Sequence, residues 1–129
     1  MANAQTKQVE FVKFRSKKNL PGAVSAWNKI PGAIVLEVQK TPGVQLPTVW
    51  LEVELKKNNK KICTGKMKID SINTRTIKTE EITRLLKDCN RLANGEYKLC
   101  ARFYNMDNVG VSEGRCIELI INYQISLNH

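Results

Sequence analysis

Between Thr48 and Lys56 apolar and polar residues alternate without a break: Val49, Leu51, Val53 and Leu55 share one parity, Trp50, Glu52, Glu54 and Lys56 the other. A period of two predicts a strand with one buried and one wet face. The strand runs into KKNNKK, residues 56–61, where Asn58-Asn59 suits the positive φ values of a tight hairpin turn. A returning strand follows, with Cys63, Met67 and Ile69 on its inner face. Two later segments repeat the pattern. Tyr97, Leu99, Ala101 and Phe103 alternate against Lys98, Cys100, Arg102 and Tyr104, and Ile117, Leu119, Ile121, Tyr123 and Ile125 alternate against Cys116, Glu118, Ile120, Asn122 and Gln124. One window changes period: Ile82, Leu85, Leu86 and Cys89 recur at helical spacing behind Glu80 and Glu81, with Thr79 placed to cap. That predicts one short helix over about 79–89.

The first 47 residues are less regular. From Lys7 to Phe14 the apolar positions change parity, Val9 and Phe11 on one face and Val12 and Phe14 on the other, which predicts a bulge or a strand that switches partners. Pro-Gly pairs at 21–22, 31–32 and 42–43 suit type II turns, and Ala33 to Gln39 is the strongest strand among them. About seven strands, frequent turns and one helix predict an all-β fold, an immunoglobulin-like antiparallel β-sandwich.

Length is consistent with this reading, since 129 residues can enclose one continuous core but not two. No apolar run approaches the roughly 18–20 residues that cross a bilayer, so no transmembrane segment is expected. Met1-Ala2-Asn3-Ala4-Gln5 has the small-x-small pattern read by signal peptidase, with cleavage expected between Ala4 and Gln5. Residues 1–15 therefore read as a signal-peptide remnant and an N-terminal strand, and 16–129 as a single sandwich domain. The expected location is secreted, periplasmic or at the cell surface.

Candidate chemistry is sparse. The one histidine, His129, ends the chain, a poor place for a general base or metal ligand. Cys63, Cys89, Cys100 and Cys116 contain no C-x2-4-C pair, so no metal site is expected. No phosphate-cradling glycine motif occurs, so no cofactor is expected either. Glu52 and Glu54 read as a solvated strand edge, and the chain as a non-enzyme. The cysteines divide by parity. Cys100 and Cys116 fall on the polar sides of their strands, where an outward disulfide between neighbouring strands is expected. Cys63 and Cys89 fall on apolar faces, and either a second bridge or buried free thiols fit.

The segment from Leu92 through Gly95, Tyr97 and Cys100, followed by Asp107 and Cys116, resembles the end of β-sandwich modules of secreted bacterial surface proteins. It is similar to fibronectin type III-like or TANFOR-type modules over about the last 35 residues. The resemblance implies a domain that presents surfaces to proteins or glycans. Asp70-Ser71-Ile72 also matches a short O-glycosylation sequence of bacteria that export such domains.

The leading functional expectation is thus an exported, non-enzymatic structural or adhesive component of a cell-surface, secretion-associated or filamentous assembly, with a protein partner or self-assembly. Trp50 is one candidate contact, as a partner anchor or as core covered by the N-terminal segment. Net charge, +9 from 21 basic and 12 acidic residues, adds a rival: a cationic module for nucleic acid or acidic polysaccharide, using Lys56, Lys57, Lys60 and Lys61. Lysines also blunt hairpin tips and sheet edges without any binding role.

Overall fold

The computed structural model describes residues 7–122, so the expected cleavage site after Ala4, positions 123–125 and His129 lie outside the described residues. The strands are β1 (Val9–Ser16), β2 (Ile34–Lys40), β3 (Val49–Lys57), β4 (Lys60–Ile69), β5 (Thr74–Ile77), β6 (Gly95–Tyr104) and β7 (Arg115–Ile121). They pair antiparallel in a three-stranded sheet, β1-β2-β5, and a four-stranded sheet, β4-β3-β6-β7. The alternating apolar residues of the two inner faces meet in one core, with Leu36, Val38 and Ile77 on one side and Leu51, Val53, Leu99 and Phe103 on the other. This is an all-β, immunoglobulin-like sandwich.

The parity change in β1 is a bulge. Pairing with β2 shifts register between Phe11 and Lys13, and Val12 is the extra residue, left 48% exposed. The insertion returns Phe14 to the side of Phe11, and the two rings stack at 5.9 Å. Phe11 also meets Phe103 of β6 edge-on at 5.8 Å. β1 is therefore part of the sandwich itself.

The proline-rich segment does more than turn. Gly32 and Gly43 have the positive φ of type II turns, but the pair at 21–22 does not: Gly22 has no positive φ, and Asn19 has it instead. Pro21 and Gly22 lead into a 3₁₀ turn, Val24–Lys29, which seats Trp27 fully in the core with its indole N–H donating to the Pro21 carbonyl at 2.9 Å. Nothing in the local pattern marks Trp27 as core, because its partners come from distant strands.

The helix, α1, covers Thr79–Leu85 and ends short of the expected residue 89. The Leu86 N–H is shared between the carbonyls of Ile82 and Thr83, and the Cys89 N–H bonds to Leu86, so tighter turns take over while Leu86 and Cys89 stay buried. Thr79 is not the cap. Its hydroxyl exchanges hydrogen bonds with the Ile34 backbone, and the Glu81 carboxylate instead accepts from the Lys78 N–H at 2.9 Å. At the other side of the loop, the Tyr97 hydroxyl donates to the Ala93 carbonyl at 2.7 Å, a tyrosine corner that fixes the entry into β6.

α1 docks on the edge strand β4 at Gly65. A Cβ there would lie 2.2 Å from the Leu85 carbonyl oxygen, so the helix backbone rests where a side chain would be. Gly65→Ala is expected to cost about 1–3 kcal/mol through this overpacking. Chemical denaturation checks it, and a loss below about 0.5 kcal/mol would show that α1 lifts freely from the sheet.

Candidate functional site

The outer face of the four-stranded sheet carries most of the residues singled out by sequence. β3 contributes Trp50, Glu52, Glu54 and Lys56, and the register sets each opposite a residue of β6: Tyr104, Arg102, Cys100 and Lys98 respectively. Three regions follow along the strands.

At the middle is an open depression of about 220 Å³, lined by Glu52, Glu54, Arg102, Arg115 and the Cys100–Cys116 pair. Cys100 and Cys116 are direct partners across β6 and β7, and the structure joins them. Arg102 lies flat over Gly114, where an added Cβ would sit 2.5 Å from its guanidinium. The Arg115 guanidinium stands 5.4 Å from the centre of the Phe11 ring and pairs with Glu113 at 2.7 Å. Glu54 is 3.8 Å from the Lys56 ammonium. Carboxylates and guanidiniums here offset one another. The second disulfide, Cys63–Cys89, is buried and ties β4 to the segment after α1. Among the described residues no cysteine thiol is free, and no three His, Cys, Asp or Glu side chains lie together as a metal site. No helix among them is long and apolar enough to cross a membrane.

At one end lie the aromatic residues. Trp50 is half-buried, flanked by Tyr104 on β6 and Lys68 on β4. β1 does not cover it, because that strand belongs to the opposite sheet. The loop before β3 and the loop after β6 reach the same end, since the two strands are antiparallel. They expose Leu46 at 52%, Met106 at 50% and Val109 at 46%. The second loop is built rigidly: the Asn105 side-chain oxygen accepts from the N–H groups of Asp107 and Val109, and Asn105 N–H donates to the Val109 carbonyl. Sequence reading passed over Leu46, Met106 and Val109, which lie in no periodic segment. Their isolation in polar loops was the available signal.

At the other end is the hairpin. Asn58 and Asn59 have φ of 53° and 65°, as a type I′ turn requires. Lys56, Lys57, Lys60 and Lys61 flank it, and Lys98, which no sequence pattern linked to them, joins them from β6. Ser71, in the three-residue glycosylation match, is exposed at φ 51° on the turn that follows β4, back at the Trp50 end of the sheet.

No protein-family model matches the chain, and no curated protein matches it. Among solved structures it is similar to the CARDB domain of a protein from Pyrococcus furiosus, crystallised in complex with di-metal ions. Identity is 11% over 92% of this chain and 95% of that one, with a TM-score of 0.40. A likeness at that level assigns neither fold nor function.

Proposed function

We propose that the chain is an exported, non-enzymatic β-sandwich that serves as a structural or adhesive component of a cell-surface, secretion-associated or filamentous assembly. Its protein contact is the aromatic end of the four-stranded sheet. One observation carries this reading: Leu46, Met106 and Val109 are each about half exposed beside half-buried Trp50 and Tyr104. Apolar side chains left half exposed on two neighbouring loops, beside half-buried aromatic residues, have the composition of a recognition patch. The two disulfides support export, because such bonds persist in oxidising compartments. The three-on-four strand order and the Tyr97 corner support the fibronectin type III-like reading.

The test replaces Met106 and Val109 by aspartate in the producing cell. Both residues are exposed, so the domain should melt within a few degrees of wild type. Surface cross-linking and sedimentation should find wild-type protein in a high-mass complex and the variant released as free chain. Retention of the variant in that complex would exclude this end as the interface.

A further inference from the structure

Three pairs of lysines are directly opposed at the hairpin end: Lys57 with Lys60 and Lys56 with Lys61 across the turn, and Lys56 with Lys98 across β3 and β6. Like charges facing one another work against strand pairing, so this arrangement costs the fold stability. Part of it is offset, because Glu118 of β7 faces Lys98, and Glu96 and Glu118 line a shallow depression with Lys56 and Lys98. Lys56 has Glu54 at 3.8 Å, and the Lys57 ammonium lies 4.9 Å from the centre of the Tyr97 ring. Lys60, Lys61 and Lys98 are exposed, with no carboxylate within 4.0 Å among the described residues.

The basic track continues past the sheet. Glu118 of β7 stands opposite Lys98, and the Ser16 hydroxyl donates to the Glu118 carbonyl, which brings the end of β1 alongside. Exposed Lys17 and Lys18 follow there, beside a shallow depression shared with Ile117 and Ile120. Neighbouring strands lie about 4.8 Å apart, so the positions from β4 to β7 span roughly 15 Å before Lys17 and Lys18 extend them. A place where local rules are broken without a structural gain is where function is expected.

We propose that this end of the sandwich binds an acidic polysaccharide, whose anionic groups neutralise Lys56, Lys57, Lys60, Lys61 and Lys98, with Lys17 and Lys18 lengthening the contact. Single-stranded nucleic acid calls for aromatic faces on which bases stack. Of the rings at this end, Tyr97 is only 4% exposed with its hydroxyl committed to Ala93, and Phe14, beside Lys17 and Lys18, is half-buried with its ring stacked on Phe11. Trp50 and Tyr104 lie at the far end of their strands. A row of point charges without a stacking surface suits a polymer that carries a charge on each unit and no bases. This surface is separate from the apolar end and stands or falls independently of it.

The experiment measures binding of the full chain to size-defined heparin oligosaccharides over a series of salt concentrations. Replacing Lys56, Lys57, Lys60 and Lys61 by serine is expected to weaken binding at least tenfold and to flatten its salt dependence. The variant should melt at or slightly above the wild-type temperature, because opposed charges have been removed. Lys98→Ser alone should weaken binding several-fold. A control with Lys7, Lys40 and Lys68 replaced by serine, all at the opposite end, should bind like wild type. Equal weakening in that control, or tighter binding to a duplex DNA of similar length at the same salt, would overturn the proposal.

Discussion

Replacing Trp27 by alanine is expected to lower the stability of the domain by about 3–5 kcal/mol. Trp27 heads the fully buried side chains by size, and its surroundings are tied from several directions. The indole N–H holds Pro21. Just before it, Leu20 exchanges backbone hydrogen bonds with the end of β7, donating to Ile120 and accepting from Asn122. Just after it, the Asn28 side chain pairs with the Thr83 hydroxyl of α1. The side chain thus fills the space where the 3₁₀ turn, the helix and the four-stranded sheet converge, and these anchors prevent collapse around the void. Urea unfolding followed by circular dichroism measures the loss. Trp27→Phe, which keeps most of the volume but not the donor, should cost clearly less. A loss under about 1 kcal/mol for alanine would mean that the segment rearranges and is not a fixed part of the core.

The second large effect belongs to Cys63–Cys89. Replacing both residues by alanine should lower stability by about 3.5 kcal/mol on the loop-entropy argument for a separation of 26 residues. The same argument allows about 3 kcal/mol for Cys100–Cys116, separated by 16. The two differ in what remains once they are gone. Cys100 and Cys116 sit on strands already hydrogen-bonded to each other, whereas Cys63 and Cys89 join β4 to a segment held to it otherwise by packing at Gly65. Hydrogen exchange should therefore show α1 and the segment after it opening in the Cys63/Cys89 variant, while β4 stays paired with β3 and β6 and β7 stay protected in both. Equal protection of α1 with and without the bridge would count against its role as the tie. Cys116 is exposed while Cys63 and Cys89 are buried, so a mild thiol reductant should open Cys100–Cys116 first.

Most strands, their faces and the hairpin turn were legible because they are local, whereas β5, four residues with only Ile77 buried, is too short to show a period and was not read. Whether Val53 and Leu99 point inward follows from a period of two, and Asn58-Asn59 can be read as a turn because few residue pairs tolerate two positive φ values. The parity of Cys100 and Cys116 likewise placed both on wet faces. The helix was harder. Its periodicity extends to Cys89, yet the backbone leaves α-helical geometry after Leu85, because a buried periodic face can be continued by tighter turns. Thr79 has the residue type of a cap, but β2 passes close enough to claim its hydroxyl.

By itself the sequence determined the all-β class, the alternation that makes each inner face, the parity change in the first strand and the concentration of lysines at one turn, since each depends on residues a few positions apart; that the parity change is a bulge was decided by the pairing with β2. The tertiary structure decided what those residues meet. Only the β3–β6 register sets Lys98 against Lys56 and Tyr104 beside Trp50, and only the sandwich closure makes Trp27 core and Gly65 a helix seat. Side-chain period is a property of one strand, whereas register, burial and charge opposition belong to pairs of strands brought together from far apart in the chain.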